Sequence, residues 1–133
     1  MYEKLLNLQK NSYSPYSNYA VSAIVVMNDG KEFPGVNVEN ASFGATICAE
    51  RSAILGAISN GYKKGDFKEL HVMTSSKDVG YPCFICRQVI EEFFKNDDLI
   101  YCYSKEGKVE KHPVSDMCTY PFGEDDLKWN VVL

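Results

Sequence analysis

The chain has 133 residues, a formal net charge of −4 and an apolar fraction of 45%, which together predict one domain over residues 1–133 with its own hydrophobic core. The acidic balance counts against binding to polynucleotides, because such proteins need a positive surface to neutralise phosphates. No apolar run is long enough to cross a bilayer, and the N-terminus lacks the apolar segment of a signal peptide. We therefore expect a cytoplasmic protein with no membrane or polynucleotide partner.

The first part of the chain has the pattern of a helix followed by a β-hairpin. An amphipathic pattern predicts the helix, and Asn-Asp-Gly predicts the hairpin turn. Pro34 in the returning strand indicates a bulge or an edge position, because proline cannot donate to a strand ladder. In chain order, the predicted elements are a helix over residues 2–12, a loop over 12–18, a strand over 19–27, a turn over 28–30 and a strand over 31–38.

The rest of the chain alternates helices with strands. The third helix is expected to bury an apolar face made of Ile85, Val89, Ile90, Phe93 and Phe94. The order of elements predicts an α/β fold, three-layer α/β/α, with a mixed five-stranded sheet. These later elements are a helix from near Ile47 to the glycine cap at 60–61, a strand over 69–75, a helix beginning at Cys83, strands over 99–103 and 109–112, and short helical turns after Pro113 and after Pro121.

Three of the five cysteines have the spacing of a metal site. Cys83 and Cys86 form a C-x-x-C pair, which alone suits either a redox pair or half of a zinc site. Cys48 begins another predicted helix, and two helix starts converge if the helices lie side by side on one face of the sheet. Three thiolates would leave one position open, as in a catalytic zinc site, whereas a closed set of four ligands is structural.

Two charged residues next to Cys48 favour the catalytic alternative. Glu50 is close enough to act as a general acid and base without being a ligand itself. Three thiolates around Zn2+ give a net charge of −1, which the two helix dipoles and an arginine, Arg51 or Arg87, could offset. We expect Arg51 to donate hydrogen bonds to the cysteine sulfurs from outside the ligand set.

Other polar residues have simpler interpretations. Cys102 lies in an apolar strand and is expected to be a buried small side chain, and Cys118 is expected to be a free thiol. His71 and His112 are interpreted as ordinary strand residues. Asn37 and Glu39 are two positions apart on a predicted strand, so their side chains share one face. They form either a pocket wall or an exposed polar surface.

Two segments resemble a known family. N-V-E-N-A-S-F-G-A-T-I-C-A-E-R at 37–51 and P-C-F-I-C-R-Q-V-I at 82–90 resemble the small zinc-dependent cytidine deaminases, whose signature includes P-C-x-x-C and a glutamate proton shuttle. The similarity extends from 15–17 to 121–127. The cysteine in C-A-E is similar to the homotetrameric branch of that family.

This resemblance implies a fold, a reaction and a set of roles. The fold would be cytidine deaminase-like, and the reaction would convert cytidine and deoxycytidine to uridine and deoxyuridine with release of ammonia. It also implies one Zn2+ per chain and a homotetramer with shared active sites. The implied roles are zinc binding for Cys48, Cys83 and Cys86, proton transfer for Glu50, contact with the ribose hydroxyl for Asn37 and Glu39, a place at the sugar and base for Tyr19, backbone contact with the base for Ala49, and packing on the pyrimidine of a neighbouring subunit for Phe122.

The chain departs from the family pattern near the metal, which leaves the substrate scope open. Phe84 and Ile85 stand where small residues are usual, Tyr81 replaces a small hydroxyl residue, and Ser22 stands where glycine is common. Three alternatives follow: a deaminase of a modified cytosine nucleoside such as a blasticidin-type antibiotic, an editor of bases within polynucleotides, and a zinc-stapled binding module without chemistry.

Overall fold

A five-stranded mixed sheet forms the centre of the protein, as the sequence predicts. The structure is a computed structural model and describes residues 1–128. The strand order is β2-β1-β3-β4-β5, in which β3 and β4 pair in parallel and the other three pairs are antiparallel. The strands are β1 Val21–Met27, β2 Glu32–Val36, β3 Phe67–Thr74, β4 Leu99–Tyr103 and β5 Val109–Pro113.

Helices cover both faces of this sheet, which gives the predicted three layers. The first helix packs on β1, β2 and β3 from one side, while the second and third lie next to each other on the opposite side. Short helical turns follow Pro113 and Pro121, as expected. The helices are α1 Tyr2–Gln9, α2 Ala49–Ser59, α3 Phe84–Phe93 and α4 Val114–Met117, with 3-10 turns at Phe43–Ala45 and Glu124–Leu127.

Each sheet face has its own apolar cluster. Leu5 of α1 packs against Ile24 and Met73 of the sheet. The larger cluster joins Val25 and Val72 to α2 and α3 on the other face, so successive residues of a strand serve different layers. Within the described residues 1–128, no helix is both long enough and apolar enough to cross a membrane. The single-domain assignment of residues 1–133 stays a prediction.

Several boundaries differ from the sequence expectation. The first helix ends three residues early, because Ser12 N–H bonds to Gln9 O in a tighter turn. The first strand begins at Val21, because the Asn37 side chain takes the Val21 N–H at 2.9 Å and donates to Tyr19 O at 2.8 Å. These side-chain bonds replace the ladder bonds that a longer strand would need, and β3 begins two residues earlier than expected.

The predicted burial of Ile85 is wrong. Its side chain is 63% exposed, whereas Cys86 and Ile90 are fully buried. Burial on α3 is therefore centred on those two residues, and Ile85 lies about 100° round the helix from Cys86. Phe94 is buried as expected, although it lies just beyond the helix end.

Helix α2 lies directly against the backbone of β2. A Cβ atom at Gly35 would be 2.4 Å from Ala49 O and 2.4 Å from Ala53 N, so only glycine fits between strand and helix. Pro34 lies in the same strand at the edge of the sheet, which is one of its two predicted placements. This close packing of α2 on β2 positions the N-terminus of α2, where the candidate site lies.

Candidate metal centre and active site

The three cysteines predicted to form a metal site converge. Cys48 is the N-cap residue of α2, Cys83 is the N-cap residue of α3, and Cys86 lies in the first turn of α3. Their sulfurs all lie within 4.8 Å of one another, and Cys48 Sγ is 3.8 Å from Cys83 Sγ. Two sulfurs at about 2.3 Å from a tetrahedral zinc would be about 3.8 Å apart. The donor set therefore fits zinc.

The other cysteines lie outside this cluster. Among residues 1–128, the three sulfurs form the one group of at least three potential metal ligands. Cys102 is fully buried, as predicted, and the Cys118 thiol donates to Arg87 O at 3.4 Å. Within the described part of the chain, a fourth protein ligand is therefore missing from the cluster, as in an open catalytic site.

Arg51 and the N-termini of two helices lie beside the Cys48 sulfur. Arg51 Nη2 donates to Cys48 Sγ at 3.4 Å. The Cys86 thiol and the Arg51 guanidinium beside it lower the pKa of Cys48 to about 5. The N-termini of α2 and α3 also point their positive dipole ends at the cluster. These groups stabilise thiolate charge before any metal contributes.

Arg87, the alternative partner, has another role. Its Nε donates to Pro82 O at 2.7 Å and its Nη1 donates to Met117 O at 3.3 Å. The guanidinium also lies 4.4 Å from the centre of the Phe84 ring. Arg87 thus ties the start of α3 to the segment after β5.

Glu50 combines burial with proximity to the cysteines. It lies in the first turn of α2 and is only 5% exposed. Burial raises the pKa of its carboxyl to about 7, so the group can hold or release a proton near neutral pH. A carboxyl with that property beside a metal site suits general acid and base catalysis.

A cleft of about 260 Å³ opens beside the metal cluster and is lined by seven of the predicted site residues. Glu50, Cys48 and Cys83 line it together with four residues that the sequence singles out as substrate contacts. Those four are Tyr19, Asn37, Glu39 and Ala49.

Asn37 and Glu39 are fixed by hydrogen bonds around the cleft. Asn37 Oδ1 accepts from Val21 N at 2.9 Å and from Ser12 Oγ. The Glu39 carboxylate accepts from Tyr16 N at 2.9 Å and from both the backbone and the hydroxyl of Ser17. These bonds, above all the one from the Ser17 hydroxyl, lower the pKa of Glu39, so it lines the cleft as an anion.

Comparison with known proteins identifies the family. The model of the cytidine and deoxycytidylate deaminase zinc-binding region matches residues 1–103. The chain belongs to this family. The cytidine deaminase of Sporosarcina psychrophila is 34% identical over 121 residues, which cover 91% of this chain and 88% of that protein. These findings agree with a cysteine cluster that binds zinc.

Solved structures place the fold in the same family. The crystal structure of cytidine deaminase from Burkholderia pseudomallei matches with a TM-score of 0.87 at 38% identity, covering 90% of this chain and 94% of that chain. Cytidine deaminase from Mycobacterium tuberculosis matches with a TM-score of 0.78 at 30% identity, covering 92% and 94%. The predicted cytidine deaminase-like α/β fold is therefore confirmed.

One predicted substrate contact lies away from the deaminase cleft. Phe122 is 55% exposed and lines a separate groove of about 380 Å³ with Phe84 and Arg87. Its backbone carbonyl accepts a bond from Gln88 Nε2 at 2.8 Å. This position leaves the ring free to reach a second subunit, and the intersubunit role stays a prediction.

The sequence assigned no role to four other residues with hydroxyl groups that line the cleft. Ser17, Thr46 and Thr74 are short hydroxyl residues, and Tyr81 directly precedes Pro82. Thr46 and Tyr81 stand next to the recognised motifs, a signal that could have found them. Thr74 ends β3 on the same face as Val72, and only the sheet register brings it to the cleft.

Proposed function

We propose that the protein hydrolyses cytidine and deoxycytidine to uridine and deoxyuridine with release of ammonia, in pyrimidine salvage. One observation carries this proposal: three cysteine sulfurs lie within 4.8 Å of one another, and two of these cysteines, Cys48 and Cys83, line a cleft together with the buried Glu50. The family and the relatives named cytidine deaminase support the same reaction.

Each site residue has a role in this reaction. Cys48, Cys83 and Cys86 would hold one Zn2+, which when bound supplies a Lewis acid that activates water. Glu50 takes the proton of the attacking water and delivers it to the ring nitrogen next to the attacked carbon. It then takes the proton of the hydroxyl group now on the attacked carbon and passes it to the amine, so that a carbonyl forms, the carbon–nitrogen bond breaks and ammonia leaves. A carboxyl pKa near 7 suits both directions of transfer.

The charges of the cleft favour a nucleoside over a nucleotide. Among the described residues, no lysine or arginine lines the cleft, and Glu39 contributes an anion. A 5′-phosphate would meet repulsion and lack a cationic partner. Asn37 and Glu39 instead offer hydrogen-bonding groups suited to sugar hydroxyls, with Tyr19 and the Ala49 backbone next to the base.

We further propose a homotetramer in which Phe122 packs on the pyrimidine bound by a neighbouring subunit. Phe84, Tyr120 and Phe122 are exposed aromatic residues on one groove, outside the cleft of their own chain. Burial of such a surface stabilises association. Sedimentation and assays across a dilution series test this: activity per chain should fall as the tetramer dissociates. Full activity as a monomer would contradict it.

The proposed location is the cytoplasm. None of the five cysteines, which all lie within residues 1–128, forms a disulfide bond, and the three of the metal cluster lie close enough to be at risk of oxidation in the absence of metal. A reducing compartment protects such thiols. Fractionation of cells that express the protein tests the location.

Replacing Glu50 with glutamine tests the reaction. Glu50→Gln should keep zinc and lower kcat for cytidine at least about 10²-fold, the smaller contribution expected of a general acid and base. Loss of the cytidine absorbance band measures turnover, and metal analysis counts zinc. Glu92→Gln makes the same charge change on an exposed part of α3 and should keep its activity.

The outcomes of this test separate the rival functions. A zinc-loaded, fully active Glu50→Gln protein would refute the mechanism. Turnover of a blasticidin-type nucleoside but not of cytidine would favour the modified-nucleoside alternative, and retention on single strands would favour a polynucleotide editor. A zinc ion with four protein ligands and no turnover would favour a structural module.

A further inference from the structure

Tyr81 forms part of the cleft wall next to the metal cluster. It lines the cleft together with Cys83, and only the buried Pro82 separates the two residues in the chain. Proline fixes its own φ and restricts the residue before it. The backbone that joins Tyr81 to Cys83 is therefore stiff.

The Tyr81 ring is also anchored from the sheet. Its hydroxyl donates to Glu110 Oε1 at 2.8 Å, and the same oxygen lies 2.9 Å from His112 Nε2. The rings of Tyr81 and His112 pack edge to face, and their centroids are 5.9 Å apart. Glu110 and His112 are two apart on β5 and share a face. Although Tyr81 is 49% exposed, Glu110 and His112 hold its ring in place.

This position bears on the leaving amine. In the proposed reaction, the bond that breaks joins the amine to the carbon attacked beside the cysteine cluster and Glu50. The amine therefore leaves from beside the cysteine cluster, in the cleft that Cys83 and Tyr81 both line. A substituent on that nitrogen would extend towards these walls, and the anchored ring restricts the room for it.

We propose that Tyr81 is a specificity-determining residue that restricts the substrate to an unsubstituted amine. The inference rests on the proposed function and adds a limit to its substrates. Hydrolysis of N4-methylcytidine would use one water, break the same carbon–nitrogen bond and give uridine and methylamine. A single methyl group against a rigid wall changes discrimination by about 10–200-fold.

The test compares kcat/KM for N4-methylcytidine and cytidine in zinc-loaded protein. The ratio of these two values should rise at least about 10-fold in Tyr81→Ser. Tyr81→Phe keeps the ring but loses the bond to Glu110, so its ratio should rise less. Tyr13→Ser removes another half-exposed tyrosine that lies outside the cleft and should leave the ratio unchanged.

The outcomes distinguish this inference from the proposed function. If Tyr81→Ser still deaminates cytidine and its ratio of kcat/KM values is unchanged, Tyr81 does not restrict the amine, and the proposed function stands. A wild-type protein that loads zinc but does not deaminate cytidine overturns the function. In that case, calorimetry measures the dissociation constants of N4-methylcytidine and cytidine in the wild type and in Tyr81→Ser. The variant must shift the ratio of the two constants in favour of N4-methylcytidine. An equal ratio in both proteins, or no binding, overturns the role of Tyr81.

Discussion

Gly35→Ala should damage both the stability and the active site, although Gly35 lies outside the cleft. The new Cβ would lie 2.4 Å from Ala49 O and from Ala53 N, and 3.0 Å from Ala53 Cα. Ordinary contacts begin near 3.4 Å, so β2 and α2 must separate by about 1 Å. The atoms that the new Cβ would meet all belong to the backbone of α2, so a change of side-chain rotamer cannot relieve the clash.

The size of both effects follows from this displacement. Overpacking of this kind costs about 1–3 kcal/mol of unfolding free energy, and at this chain length each kcal/mol shifts the melting temperature by about 4 °C. The melting temperature should therefore fall by about 4–12 °C. Since α2 carries Glu50 and begins at Cys48, a shift of about 1 Å there should lower kcat/KM by about 10²-fold.

Gly56→Ala is the matched control in the same helix. A Cβ at Gly56 meets nothing within 4 Å, and alanine is favoured over glycine inside a helix by about 0.5–1 kcal/mol. This variant should melt about 2–4 °C higher than the wild type. Calorimetric melting and the cytidine assay measure both variants. A Gly35→Ala protein with wild-type melting temperature and activity would refute the close seating of α2 on β2.

Two further predictions concern the metal and the pH dependence of stability. Arg51→Leu removes the bond to Cys48 Sγ, so the dissociation constant for zinc should rise about 10–100-fold in chelator competition; unchanged affinity would contradict this role. Burial lowers the pKa of His71 despite its bond to Glu69. Its stabilising contribution is thus complete above the unfolded pKa of about 6.5 and is lost as pH falls towards the folded pKa. His71→Gln should flatten the dependence of melting temperature on pH below about 6.5, and parallel wild-type and variant curves would contradict this.

Much of the fold and the metal site could be predicted from local sequence. The apolar run of β1 and the helical spacing in α2 identify their elements, because a central strand is apolar on both faces and a covering helix on one. Cys83 and Cys86 are near neighbours in the chain, so their spacing alone indicates a shared ligand site. Boundaries were less predictable: the Asn37 side chain, sixteen residues away, decides where β1 begins.

The sequence by itself determined the kinds of element, the donor types of the metal site and the proton-transfer group. These depend on local periodicity and on the chemistry of single side chains. Only the tertiary structure decided which distant residues meet. Cys48 reaches Cys83 because α2 and α3 lie side by side on one sheet face, and Tyr81 becomes a wall because Glu110 of the edge strand holds it. Such contacts join residues about thirty positions apart, and their geometry follows from strand order and close packing, which no local pattern encodes.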